Sequence, residues 1–201
     1  PRSSAAGILA GKSAIVTGGA TGIGAYIVRK LGSLGAQVGI VSRKEENLQR
    51  AVAAFKADDS IEVNCRVGDV RDPELISGAI ASLAEQQGGL DYLVCNAAGN
   101  FICPTEQLSA NGWKTVIDID LNGTFHCCQA ALPFLKRAKD GGRIVSISTT
   151  GANFGWPGAV HAGAAKADAG AGATVADALG LLDSRSFSHV GPSTPLLDAS
   201  T

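Results

Sequence analysis

Ser13-Ala14-Ile15-Val16-Thr17-Gly18-Gly19-Ala20-Thr21-Gly22-Ile23-Gly24 is the stretch whose reading decides the fold. Its β-branched opening, bounded by glycine, predicts a strand over Ser13–Thr17. Ile23, Ile27, Leu31 and Leu34 then fall at helical spacing and predict a helix over Gly22–Leu34, ended by Gly35 as a left-handed cap. Glycines between the two elements let backbone N–H groups and the positive helix terminus approach a pyrophosphate that side chains would block. A bare glycine string of this kind also occurs as an ordinary turn. Its place between a strand and a helix is what points to a dinucleotide.

The same alternation continues outward. Strands are predicted over Gln37–Ser42, Ile61–Val67 and Asp91–Cys95, and helices over Lys44–Ala57 and Asp72–Gln87, the latter opened by the cap, proline and acid of Asp72-Pro73-Glu74. A long helix over Gly112–Arg137, kinked at Pro133, leads to a fifth strand over Arg143–Ser148. Five strand–helix alternations imply an α/β single domain with a doubly wound parallel sheet covered on both faces. In such sheets ligands bind beyond the carboxyl ends of the strands, here after Thr17, Ser42, Val67, Cys95 and Ser148.

Composition sets the outer bounds. The 201 residues, 45% hydrophobic and 17% charged, suffice for one domain with its own core. A net charge of −1 gives no general attraction to nucleic acid or to an anionic membrane surface, so a phosphate-bearing partner must be held locally. No apolar run approaches the length of a membrane span. The five cysteines show no CxxC spacing and read as buried thiols in a reducing compartment, and no metal-ligating cluster is expected. The chain has no methionine and begins with Pro1, so the start of the encoded protein is not represented.

Ser42-Arg43-Lys44 stands where an NAD site usually carries an acid for the ribose hydroxyls; these residues attract a 2′-phosphate and favour NADPH, unless they only open a solvated helix. Asp69 and Val70 follow the third strand, where they suit an adenine edge or a local turn cap. Asn96-Ala97-Ala98-Gly99 after the fourth strand leaves room for a cofactor, and Asn96 can bond backbone to stiffen the sheet.

Taken together, Thr17–Gly24, Asn96–Gly99, Asp118–Phe125 and Lys166 resemble the short-chain dehydrogenase/reductase family, a single-domain Rossmann-type fold, from about residue 9 to residue 167. The family's proton-handling Tyr lies four residues before the Lys; here that position is Ala162. Only Tyr26 and Tyr92 exist in the chain, and neither is a natural substitute. The family's active-site Asn position holds Asp120. These paired changes, with Asn96–Phe101 and Val160–Lys166, resemble one branch in particular, the peroxisomal type of 2,4-dienoyl-CoA reductase, whereas Gly151 replaces a Tyr of the mitochondrial type.

The resemblance implies NADPH-dependent reduction of a 2,4-dienoyl-CoA thioester to a 3-enoyl-CoA in unsaturated fatty acid degradation. It implies that Lys166 binds the nicotinamide ribose and contributes positive charge, and that Asp120, kept ionised by that charge, positions a water as proton donor. Thr149, in the family's active-site Ser position, would donate to the thioester oxygen, and Ser148 would line the cofactor. Arg71 matches a residue meeting CoA phosphate, Phe101 one meeting the acyl chain, and Ser109 and Asn111 further substrate contacts; each also reads as surface charge, cap or packing. His161 stays outside this catalytic set. Taken singly, Asp120 reads as a hydrogen-bonded helix residue and Lys166 as a solvated cation at a helix start.

Family members continue with a sixth strand, a lid and a seventh strand; residues 168–201 are Ala/Gly/Ser-rich and show none of these. The expectation is therefore that the C-terminal strands are missing and that the tail is a frame-shifted or alternatively spliced ending. A homo-oligomer is implied by the family, although Gly170, Gly172 and Gly180 weaken the helix at its interface by about 1 kcal/mol each relative to Ala. A peroxisomal setting rests on resemblance, since the chain ends Ala199-Ser200-Thr201 rather than in the usual tripeptide. Two other readings stay open: a non-catalytic NADP-binding or interaction protein, and another short-chain oxidoreductase.

Overall fold

In the computed structural model, residues 7–169 are described. Five parallel strands form one sheet in the order β3-β2-β1-β4-β5. They are β1 (Ser13–Thr17), β2 (Gln37–Ser42), β3 (Val63–Val67), β4 (Tyr92–Cys95) and β5 (Arg143–Ser146). The order reverses at β1, whose neighbours are β2 and β4. This is the doubly wound arrangement expected, and the crevice it creates lies beyond the carboxyl ends of β1 and β4.

Every residue of β1 is buried, and successive side chains leave opposite faces of the sheet. Ile15 enters a core with Leu93 of β4 and with Ile76, Ile80, Leu83, Cys127 and Leu135, supplied by α3 (Pro73–Gln86) and α5 (Gly123–Leu135). Val16 enters a second core with Ile40 of β2 and with Val28, Leu48 and Phe55, supplied by α1 (Gly22–Ser33) and α2 (Glu45–Asp59). Each fully buried aliphatic or Phe side chain contributes about 1.5–3 kcal/mol, so the two layers clamp β1 from both sides. Asp91 ties the amino ends of β1 and β4 by accepting from the Ser13 N–H at 2.9 Å and from Lys12.

Element boundaries shift where side chains cap the ends. Asp72 accepts from the N–H groups of Glu74 and Leu75, so α3 begins at Pro73. Lys44 is the residue before α2 rather than its first turn, and β3 starts at Val63, two residues later than expected. β5 stops at Ser146 rather than Ser148. Gly35, at φ +95°, follows the end of α1 as anticipated.

The largest departure concerns the long helix expected over residues 112–137. It is three pieces: α4 (Ala110–Ile117), a π-helical turn over Asp118–Asn122, and α5. Ser109 caps α4 by accepting from the Gly112 N–H at 3.0 Å. The wider turn re-aims the side chains it carries without ending the helix. Two short helices that sequence patterning did not resolve follow β5: α6 (Gly151–Phe154) and α7 (Val160–Ala169).

Cys95, Cys127 and Cys128 are buried, but Cys65 and Cys103 are only half-buried, which corrects the expectation for those two. Contacts with the neighbouring thiols and burial push Cys95 and Cys128 well above the ordinary thiol value, which keeps them protonated. Among the described residues, no helix is long and apolar enough to cross a membrane. The tail expected after residue 167 lies from residue 170 onward outside the described residues.

Candidate active site

The crevice is floored by the ends of β1 and β4, which Thr17 and Asn96 lock together. The Thr17 hydroxyl accepts from the N–H groups of Asn96 and Ala97, each at 3.1 Å. The Asn96 amide donates to the Thr17 carbonyl at 3.0 Å, the stiffening role anticipated for it. In sequence Thr17 ends the first strand and opens the Thr17–Gly24 motif; the structure adds that its hydroxyl is the hub of this junction.

The glycine loop fits a pyrophosphate. A Cβ at Gly24 would lie 2.3 Å from the Gly18 carbonyl oxygen and 2.5 Å from the Asn96 amide nitrogen, so only glycine lets α1 start this close to the loop. Gly22 faces open space, which leaves the approach to the helix clear. Thr21 precedes α1 without a side-chain cap, so the first N–H groups remain available to an anion. Ile23 is exposed at the same end. The residues present thus suit a dinucleotide phosphate.

Arg43 and Lys44 are exposed beyond β2 at the same edge. Of the two readings of Asp69, an adenine edge and a local turn cap, the second describes its side chain: the carboxylate accepts from the backbone N–H of Arg71 at 3.0 Å and pairs with that guanidinium. The hydrogen bond from the Arg71 side chain holds Asp69 below the usual carboxylate range. The local turn reading holds for the side chain, and Val70 beside it is buried in the core with Ile76 and Cys127. Arg71 is correspondingly committed to Asp69 rather than extended toward a ligand.

At the other side of the crevice, the π turn and α7 bring Asp120 and Lys166 together from segments far apart in sequence. Asp120 is 1% exposed and Lys166 7% exposed, with Oδ2 and Nζ 3.6 Å apart. Asp120 Oδ1 accepts from the Gly99 N–H at 2.7 Å, which anchors the carboxylate to the loop after β4. Thr124, another residue unassigned in sequence, donates to the Asp120 carbonyl at 2.7 Å. Burial raises the Asp120 carboxyl above its ordinary value, and the neighbouring Lys166 charge and the Gly99 hydrogen bond pull it back down. Lys166 is likewise not a solvated helix-start cation; it is buried within α7.

Ser148 donates to the Lys166 carbonyl at 3.3 Å, joining the segment after β5 to α7. Thr149 is half-buried, and its hydroxyl is a weak acceptor for the Gly151 N–H at 3.4 Å. Phe101 is 42% exposed and lies against the ring of buried His161. Ser109 and Asn111 sit at the exposed start of α4, where the Ser109 hydroxyl is engaged as a cap. Ala162 is buried in α7 and offers no proton-handling group. Tyr92 opens β4 at its amino end, a strand length from the crevice, and Tyr26 is 75% exposed on α1.

A cleft of ≈ 610 Å³ does open at the opposite, amino end of the sheet, beside Lys12, Gln87 and Asp91. Asp91 there is already paired with Lys12. The topological switch point, the glycine loop and the buried ion pair all lie at the carboxyl end instead.

A dinucleotide loop and a buried Lys at the carboxyl end of a doubly wound sheet define a class, and the chain belongs to the short chain dehydrogenase family, whose model matches residues 12–178. A Bacillus subtilis protein named a probable 2,4-dienoyl-CoA reductase, (2E)-enoyl-CoA-producing, is 41% identical over 156 residues, covering 78% of this chain and 61% of the relative. An Arabidopsis thaliana protein named peroxisomal 2,4-dienoyl-CoA reductase, (3E)-enoyl-CoA-producing, is 39% identical over 71% of this chain and 50% of its own length. The chain therefore spans half to three-fifths of these relatives. A short chain dehydrogenase from Mycobacterium smegmatis superposes with a TM-score of 0.79 at 29% identity, covering 90% of this chain and 76% of that one.

Proposed function

We propose that this chain carries the catalytic half of an oxidoreductase that reduces a 2,4-dienoyl-CoA thioester with NADPH. The observation that carries this reading is the buried Asp120–Lys166 pair, standing in a short chain dehydrogenase crevice where Ala162 removes the phenol. A ketone reductase needs an acid aimed at the carbonyl oxygen being reduced. A conjugated thioester needs donors for an oxygen that gains charge and a separate proton source for carbon.

In this reading Gly18, Thr21, Gly22, Ile23 and Gly24 hold the pyrophosphate. Ser42, Arg43 and Lys44 meet the 2′-phosphate, and Asp69 through its backbone, with Val70, flanks the adenine. Asn96, Ala97, Ala98, Gly99 and Ser148 border the nicotinamide half, and Lys166 reaches its ribose. The bound nicotinamide supplies a hydride. Thr149 donates to the thioester oxygen as charge develops there. Asp120, buried and anchored by Gly99, orients a water for protonation of the substrate. Phe101 borders the acyl chain, with Ser109 and Asn111 nearby; Arg71 reaches CoA phosphate only by leaving Asp69. The peroxisomal names among the relatives support a role in unsaturated fatty acid degradation.

The two relatives' names differ in product, (2E) against (3E). A proton delivered at the α-carbon leaves the double bond at carbon 3, and this is the product the reading assigns. The test follows NADPH absorbance with a 2,4-dienoyl-CoA for the wild type and Asp120→Ala and identifies the enoyl product. Consumption indifferent to the substitution would overturn the assignment. Retained NADPH binding without turnover would favour a non-catalytic binding protein.

A further inference from the structure

Among the described residues, His161 is a buried titratable side chain beside this site that the proposed chemistry leaves idle. It lies in α7, is 0% exposed, and neither ring nitrogen has a hydrogen-bond partner among the described residues. Its ring meets Phe101 at a centroid distance of 4.6 Å and an angle of 56°. Phe101 is half-exposed, so the imidazole sits one side chain in from the surface of the crevice. α7 also packs on the π turn that carries Asp120.

Folded proteins leave few such groups unpaired, because each buried orphan costs about 1–3 kcal/mol. A neutral imidazole presents one N–H donor and one acceptor nitrogen, and water or a hydroxyl complements both. Asp120 shows a matching deficit. Its Oδ1 is satisfied by Gly99, but Oδ2 faces Lys166 Nζ at 3.6 Å, beyond a normal hydrogen bond. A water between these groups turns long contacts into short ones.

We propose that His161 is a positioning residue that, with Asp120, holds the water from which the substrate's α-carbon takes its proton. The inference rests on the dienoyl thioester reading. A hydride added at the δ-carbon forms one C–H bond, and the diene electrons move to the thioester oxygen. As they return, the α-carbon forms its C–H bond while an O–H bond of the held water breaks. The resulting hydroxide takes a proton from solvent at the crevice, and the imidazole, which only orients the water, keeps its own. The sum is one hydride and one solvent proton per double bond reduced.

The test uses the full chain with ¹⁵N-labelled histidine, in wild type, His161→Leu and His161→Gln forms. The chain has three histidines, and the His161 resonance is the one missing from His161→Gln. Addition of NADP⁺ and an enoyl-CoA should shift this resonance. His161→Leu should lower kcat by about 10²-fold with KM changed less than about threefold, whereas Gln, which keeps a donor and an acceptor, should restore most of kcat. Wild-type kcat in His161→Leu, or a resonance that thioester binding leaves unmoved, overturns the role of His161. If the Leu variant does not fold, the resonance decides. A wild type that neither binds nor reduces the thioester overturns the site reading, and this inference with it.

Discussion

The glycine loop after β1 and the π turn after α4 lie on two sides of one crevice and are built on opposite principles. The loop works with backbone: small residues, open space at Gly22 and uncapped N–H groups facing outward. The π turn works with side chains, holding a carboxylate at 1% exposure against an ammonium group at 7%. A solvated backbone cradle tolerates a mobile anion, because each N–H contributes a little and water fills the gaps. A dry ion pair tolerates almost nothing, because removing one partner leaves the other buried and uncompensated. The contrast separates binding from chemistry, and substitutions on the two sides should fail in different ways.

The largest effect is expected on the dry side. Asp120→Ala should reduce turnover of a 2,4-dienoyl-CoA by about 10²–10⁴-fold. It should also destabilise the fold by about 3–5 kcal/mol, since Lys166 loses its partner. NADPH consumption and urea denaturation measure the two separately, and a stable, active variant would erase the distinction between the two regions.

On the open side, Gly24→Ala drives a methyl into the Gly18 carbonyl and the Asn96 amide. Strain of about 1–3 kcal/mol should appear as roughly 10–100-fold weaker NADPH binding, read by cofactor fluorescence, with Asp120 chemistry intact once the site is saturated. Arg43→Ala should cost less, about tenfold in NADPH affinity with NADH affinity unchanged. Equal losses for both cofactors would refute the 2′-phosphate assignment.

The smallest effect is in pH dependence. Burial raises the folded-state value of Asp120, so the folded chain holds that proton more tightly than the unfolded one. Its contribution to stability is full at low pH and is lost as pH rises through the raised value. Asp69, lowered chiefly by its hydrogen bond from Arg71, has the opposite sign, contributing above its unfolded value and losing that as pH falls through the folded one. Urea midpoints across the acid range should therefore show Asp120→Asn gaining on the wild type as pH increases. A constant difference would mean that the Asp120 carboxyl titrates alike in both states.

The difference between the regions also explains what could be read without coordinates. Strand β1, the glycine turn and α1 are contiguous, so their periodicity and turn chemistry are local properties of residues 13–34, and the expected boundaries hold to within a residue. The π turn is not legible in sequence because Asp118–Asn122 holds no proline or glycine to interrupt the helices on either side. In sequence, Asp69 reads equally as a ligand contact or a turn cap, and Arg71 as a ligand contact or a surface charge. Their pairing depends on a rotamer choice within one turn that spacing does not encode.

Local sequence determined the order of strands and helices, the conformation of the phosphate turn and the absence of a phenol at Ala162, because these depend on residues in register along the chain. Tertiary structure decided which charges meet, which are dry and which remain unpaired. Asp120, Lys166 and His161 come together only when the π turn and α7 pack beside the end of β4, and burial, the property that gives them their chemistry, exists only once those segments exclude water from one another.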